Sequence, residues 1–217
     1  MVQLAVLERP AEPVVGRGAQ TRQRVLDIAE AAVLAKGFAA TSIDEVIFEA
    51  GLSKSGFFHH FRDKNDLARA LVQRFQVRDT AILDEIDAQA DALSEDPLHS
   101  FLIALKLTAD MMADLENGHP GCLVSTFVYQ DQQYDPAVRR MVTETIQAWR
   151  ARFRRRLARM EAVYPPKVDV SLDTLADMAS VIVDGGIVLS KSMRSGRLLA
   201  DQIMAYRTFV RMVFTGA

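Results

Sequence analysis

The chain has 217 residues, 49% of them hydrophobic and 25% charged, enough for one large domain or two modest ones with a true core. A formal net charge of −2 excludes a basic coat protein that binds nucleic acid by bulk charge, and a single cysteine, Cys122, excludes an intrachain disulfide framework. The start lacks the pattern of a signal peptide, and no apolar run approaches the roughly 18 residues that a spanning helix needs, so a cytoplasmic protein without a membrane partner is expected.

Residues 1–20 contain Pro10, Pro13, Gly16 and Gly18 with no sustained period and read as a flexible arm. Arg9 and Arg17 would let such an arm touch a DNA minor groove, although a plain disordered leader is the simpler reading. Thr21 is suited to cap a first helix whose stripe is Val25, Ile28, Ala29, Ala32 and Val33, ending near Gly37. Ser42-Ile43-Asp44-Glu45 has the form of a capping box and predicts a second helix carrying Ile43, Val46, Ile47 and Ala50. That helix should stop at Gly51, and Ser53 should cap a short third helix through about His60. Helix, tight glycine turn and helix is the layout of a helix-turn-helix, whose second helix enters the major groove. Leu52, Phe57 and Phe61 would face inward, leaving Lys54, Ser55, His59 and His60 outside, with Arg62 and Lys64 placed for flanking phosphates. Between Arg17 and Lys64 there are seven Lys/Arg and six Asp/Glu, so any DNA affinity must come from a local patch.

From Asp63 a long helix runs toward Leu93 on Leu67, Leu71, Phe75, Ile82 and Ile86 and would connect this unit to the remainder. Asp96-Pro97 and Asp135-Pro136 each pair an N-cap with a proline suited to the first helical position. They predict helices over 97–116 and 136–163, with a short apolar helix over 122–130 between them. Two last helices are expected over 171–193 and 199–214, and no strand pattern is convincing. The expected architecture is all-α, with a helix-turn-helix domain over 21–66 (linker helix from about 64) and a helical domain over 67–217.

Three features of the second half invite chemistry. On the helix after Pro136, Ile146, Trp149, Phe153, Leu157 and Met160 form an inward stripe; Arg150, Arg152, Arg154, Arg155, Arg156 and Arg159 take the other faces, solvated or paired with acids rather than forming a second anion site. Cys122 sits at a helix start three residues from His119, where a dipole lowers a thiol pKa, so a redox sensor or thiol nucleophile stands as an alternative to a buried cysteine. Gly185 and Gly186 interrupt an apolar helical run at a cost of roughly 1 kcal/mol each against alanine, which close packing must offset. A subunit contact is the natural use, an intrachain contact the other.

Thr41-Ser42-Ile43 through Gly51-Leu52-Ser53, followed by Gly56-Phe57-Phe58-x-His60-Phe61-x-Asp63-Lys64-x-x-Leu67, resembles the DNA-binding domain of the TetR/AcrR family of transcriptional repressors. The likeness runs from about Arg22 to Leu71, with Phe58 where the family often has a phosphate-contacting tyrosine. It implies a DNA-contacting set of Thr41, Ser42, Ser53, Lys54, Ser55, Phe58, His59, His60 and Lys64. It also implies an effector site in the second half, where the bulky and adaptable candidates are Phe101, Leu105, Met111, Met112, Cys122, Phe127, Tyr129, Trp149, Phe153, Met178 and Ile182. For any single one of these, a bundle core is the competing reading. The last two helices would pair with a second copy through Val181, Gly185, Val188, Leu189 and Phe209. The function that follows is a homodimeric repressor released from a palindromic DNA operator by a lipophilic or aromatic small molecule. A regulator without effector is the alternative within the class. No metal, cofactor or catalytic constellation is expected, and the chain does not read as an enzyme.

Overall fold

The computed structural model describes residues 16–216, and among these every regular element is helical. The elements are α1 (Arg17–Lys36), α2 (Ile43–Glu49), α3 (Lys54–His60), α4 (Lys64–Leu93), α5 (Pro97–Ala113), α6 (Leu123–Tyr129), a 3-10 turn (Asp131–Gln133), α7 (Pro136–Glu161), α8 (Leu172–Met193) and α9 (Gly196–Thr215).

Local chemistry sets most of the boundaries. Seven helices begin at a side chain that accepts a hydrogen bond from the amide three residues on: Ser42, Ser53, Asp63, Asp96, Cys122, Asp135 and Ser171. The second helix ends in a Schellman motif, with Leu52 N–H donating to Ile47 O and Gly51 N–H to Phe48 O, both at 3.1 Å. Gly51 closes that motif at φ +61°, a left-handed conformation that a side chain would strain.

The first helix departs from expectation. It opens at Arg17 with Gly16 as N-cap, and the Thr21 hydroxyl donates back to Arg17 O at 2.9 Å instead of capping. The expected arm is therefore helical from Arg17 onward, while its portion over 1–15, with Arg9, lies outside the described residues. Two helices are also shorter at the C-terminus than their patterns suggested: α5 ends at Ala113 and α7 at Glu161, whereas α9 begins earlier, at Gly196.

Two large cores, and a small cluster of Ile86, Ala90 and Ala104 between α4 and α5, hold the described residues together. The first joins α1–α4 to α6 and the start of α7: Val25, Leu26, Val46, Phe57, Phe61 and Leu71 lie with Leu123, Phe127, Tyr134 and Val138. Phe38 belongs to it through aromatic contacts to Tyr134 at 4.7 Å and Phe127 at 5.5 Å. The second core lies among α5, α7, α8 and α9, around Phe101, Leu157, Met160, Leu175, Leu199 and Phe214. At roughly 1.5 Å per residue α4 spans about 45 Å and takes part in both halves. The expected division at residue 66 falls inside this helix.

Candidate nucleic-acid interface and effector cavity

The second and third helices present one polar face. Lys54, Ser55, Phe58 and His59 are exposed on α3, whose opposite side buries Phe57 completely against Phe61. Ser42 and Ser53 are exposed too, but their hydroxyls accept from Glu45 N and Gly56 N at 3.1 Å, so both cap helices before they meet anything else. Ser55 lies 3.1 Å from Ser53, and Lys54 pairs loosely with Asp44 at 3.6 Å. His60 is half-buried; burial first, then the charges of His59 and Arg22, push its imidazole below the ordinary histidine range. Lys64 folds back under the first turn, its ammonium 4.6 Å from the centroid of the Phe38 ring and 3.4 Å from Ala39 O; burial lowers its pKa.

Thr41 corrects the expected set. It is only 2% exposed, and its hydroxyl donates to Gly37 O at 2.9 Å, so it seals the α1–α2 turn and offers no surface to a phosphate. Arg62, placed for phosphates, pairs with Asp66, whose carboxyl is pulled down to about 2 by that side chain and the Arg62 amide. Phe58 stands edge-on to Phe57 at 5.4 Å, exposed but without the hydroxyl of a tyrosine.

The second half contains a cavity of about 650 Å³. Its walls come from α4, α5, α6, α7 and α8, with Ile203 and Tyr206 of α9 at the base. Phe101, Leu105, Met111, Met112, Cys122, Trp149, Phe153 and Ile182 line it as expected, and Tyr129 joins only at the rim, 84% exposed. Two candidates do not. Phe127 is consumed in the first core, stacked on Tyr134 at 4.6 Å, and Met178 packs into the second core away from the cavity lining.

The pattern missed the α4 wall: Phe75, Arg78, Asp79, Ile82 and Ile86 all line the cavity. It also missed the pair Ser125–Asp184, in which the hydroxyl lies 2.6 and 2.8 Å from the two carboxylate oxygens. The α4 periodicity showed which residues were apolar but not that one stretch of that stripe would border a void.

Four of the six arginines in the α7 run form ion pairs. Arg152 meets Asp84 at 2.6 Å and Asp87 at 2.8 Å; Arg154 meets Asp173 at 3.0 Å; Arg150 meets Asp177 at 2.7 Å. Arg156 departs from the expected exposed face: it is 6% exposed, bonded to Asp87, Asp91 and Ser100, with its guanidinium 5.7 Å from the Phe101 ring centroid. These bonds knit α7 to α4, α5 and α8, and their carboxylates occupy four of the guanidinium groups that a second anion site would use.

Cys122 does not carry the chemistry its position suggested. Its sulfur caps α6 by accepting from Ser125 N at 3.5 Å, and burial, with the Asp184 charge adding, pushes the thiol pKa up. His119 is turned to the backbone, accepting from Gly121 N at 3.1 Å, and burial and Lys191 push its pKa down. Desolvation outweighs the dipole of a seven-residue helix, so the thiolate is disfavoured.

The halves are tied by polar contacts. Arg74 on α4 bonds Asp27 at 2.6 Å, Leu26 O at 2.8 Å and Glu30, all on α1. Arg78, a cavity-wall residue, also pairs with Glu30. Lys191 on α8 donates to Leu34 O at 2.7 Å, and Gln130 accepts from Ala39 N at 3.1 Å.

On α8, the two glycines separate in role. A Cβ on Gly186 would meet Leu199 Cδ1 at 2.6 Å, so this glycine admits α9 within the chain. A Cβ on Gly185 would meet nothing within 4 Å. It lies on a face with Val181, Val188 and Leu189, which are 68%, 61% and 47% exposed, and Phe209 of α9 is 38% exposed.

A helix-turn-helix with its reading helix exposed, carried on a helical bundle, defines a DNA-binding regulator. Residues 25–71 match the family model of bacterial regulatory proteins, tetR family. The chain is 24% identical over 181 residues to transcriptional regulator AcuR of Cereibacter sphaeroides, covering 83% of this chain and 79% of that one. It is 25% identical over 187 residues to the HTH-type transcriptional regulator YxaF of Bacillus subtilis, covering 84% and 93%. A TetR-family regulator from Agrobacterium tumefaciens shares the fold at a TM-score of 0.74 and 16% identity, covering 91% of this chain and all of that one, 100%. Residues 25–71 are thus a DNA-binding domain of the tetR family, and the described chain as a whole shares the fold of TetR-family regulators. No described helix is long and apolar enough to cross a membrane.

Proposed function

We propose that the protein is a cytoplasmic homodimeric repressor that leaves a palindromic operator when a lipophilic small molecule fills the cavity. The observation that carries this reading is the position of α4: it walls the cavity through Phe75, Arg78, Asp79, Ile82 and Ile86, and its N-terminal turn lies directly after the reading helix. A ligand that shifts α4 moves α3, and Arg74 and Arg78 carry the displacement to α1 through Asp27 and Glu30. The ligand acts only by its differential affinity for the DNA-competent and DNA-incompetent forms. A second copy seats on the apolar face of α8 and α9, so that two α3 helices meet successive major grooves about 34–36 Å apart.

Within the interface, Lys54, Ser55 and His59 supply base contacts and Lys64 a phosphate contact, with Ser42, Ser53, Phe58 and His60 along its edge. The test is selection of DNA from a random pool, followed by titration of the winners at two salt concentrations. An enriched inverted repeat is expected, with affinity falling steeply as salt rises. Lys64→Ala should weaken all sequences and reduce the salt slope by about one, whereas His59→Ala should relax preference at one position of each half-site. A Lys64→Ala variant that changes base preference while leaving the salt slope intact would sink this assignment of roles.

A further inference from the structure

The cavity lining carries three arginines and three aspartates, and the way they are paired says what fits there. Three arginines line it, and each is already matched: Arg78 to Glu30, Arg152 to Asp84 and Asp87, Arg156 to Asp87 and Asp91. Two lining carboxylates are not. Asp184 on α8 has no cation within ion-pair distance among the described residues; a single hydroxyl, that of Ser125, serves both its oxygens at 2.6 and 2.8 Å. Asp79 on α4 accepts the indole N–H of Trp149 and forms no ion pair among the described residues, with Arg152 acting only through space. One hydroxyl and one indole leave most of the acceptor capacity of two carboxylates unmet in a mainly apolar cavity.

From this geometry we infer that the effector is a lipophilic organic cation, an amine or quaternary ammonium attached to an apolar or aromatic body, held by Asp184 and Asp79 from the α8 and α4 walls. The inference rests on the reading of the cavity as the effector site. Both carboxylates are half-buried, and a cation bound between the walls would supply each with the counter-charge that the lining arginines do not. Aromatic rings line the same space: Phe75 and Trp149 are set edge to face at 6.1 Å and Phe153 meets Phe101 at 6.3 Å, with Phe101 already engaged by the Arg156 guanidinium at 5.7 Å. An anionic effector finds the opposite conditions, because every lining arginine is occupied and both free carboxylates repel it. A neutral one gains the apolar walls but leaves both carboxylates unpaired.

Trp149 is the sole tryptophan and lines the cavity, so its emission reports occupancy directly. Three probes of nearly one shape separate the cases: 4-biphenylmethyl-trimethylammonium, its neutral tert-butyl isostere, and biphenyl-4-acetate. Each is titrated against the full chain and against Asp184→Asn, Asp79→Asn and the double variant, with far-UV circular dichroism confirming the fold. Asparagine keeps an acceptor for Ser125 or Trp149, so the substitutions remove charge and little else. The cation is expected to bind about tenfold or more tightly than the other two, each single variant to cost it about tenfold, and the neutral probe to change less than about twofold. Asp184→Glu should retain the preference. Equal or tighter binding of the neutral or anionic probe, or a cation preference that survives in the double variant, overturns the inference while leaving the effector-site reading standing. If no probe perturbs Trp149 or releases DNA, the effector-site reading falls and the cation inference with it.

Discussion

The two halves of this molecule are built to different tolerances. Around the reading helix the core is closed: Phe57 and Val25 are fully buried, Phe61 and Val33 nearly so, and α2, α3 and α4 each start on a satisfied cap. The second half uses equally apolar helices yet leaves a cavity of about 650 Å³ and an uncovered apolar face on α8 and α9. Rigid presentation of a few side chains needs the first arrangement, and a site that changes shape with its contents needs the second. The contrast extends to charge, since Arg150, Arg152, Arg154 and Arg156 of α7 are spent in matched pairs whereas Asp79 and Asp184 form no ion pair among the described residues.

The comparison can be broken most forcefully in the closed core. Phe57→Ala should destabilise the protein by about 3–5 kcal/mol, read from the midpoint of denaturant unfolding, because the site cannot collapse. Phe153→Ala, at the cavity wall, should cost under about 2 kcal/mol, since that ring already borders empty space on one side. Equal losses at the two positions would mean that the halves are packed alike.

Next in size is the uncovered face. Val188→Asp, on a residue 61% exposed, should leave the fold of each chain intact but shift the measured mass in solution from dimer to monomer and abolish operator binding at micromolar protein. A variant that stays dimeric would place the subunit contact elsewhere.

A smaller effect is expected at the joint between the halves. Arg78→Ala removes a half-exposed ion pair to Glu30 and should change stability by no more than about 1 kcal/mol. Operator affinity without effector should stay within about threefold, while the effector concentration needed for release rises. Unchanged release would show that the link runs through Arg74 or Lys191 instead.

A change of similar size, and dependent on pH, is expected in the first turn of α4. The Asp66 carboxyl is held at about 2 against an ordinary 3.8, through Arg62 first and Arg69 further down. A depressed carboxyl contributes stability above its unfolded pKa and loses it as pH falls toward the folded value, here between about 4 and 2. Asp66→Asn should cost about 1 kcal/mol near neutrality after allowance for solvent screening, and the gap to wild type should narrow steadily below pH 4. A gap independent of pH would show that the carboxylate acts through geometry alone.

Much of the fold was legible before any coordinates. Caps such as Ser42, Ser53, Asp96 and Asp135 bond the amide three residues on, so the information sits within one turn of chain, and the boundaries that they predicted hold. The reading helix followed for the same reason, with Gly51 supplying the left-handed turn. Thr41 and Thr21 show the limit: both have the chemistry of a cap, but each hydroxyl donates back to a carbonyl four residues earlier. Side chains such as Phe127 and Met178 could not be sorted from Phe101 and Trp149 by pattern, because an apolar residue facing a neighbouring helix and one facing a void have the same periodicity.

The sequence by itself determined the helices, their caps, the glycine turn and the family of the reading domain, since these rest on interactions spanning a few residues. Tertiary structure decided which apolar residues surround the cavity, which arginines are spent in pairs with α4, and that Gly186 admits α9 while Gly185 stays open. Those outcomes depend on contacts between residues dozens of positions apart, such as Ser125 with Asp184 or Trp149 with Asp79. A carboxylate's partner is chosen by where the helices cross, and no local spacing along the chain encodes that crossing.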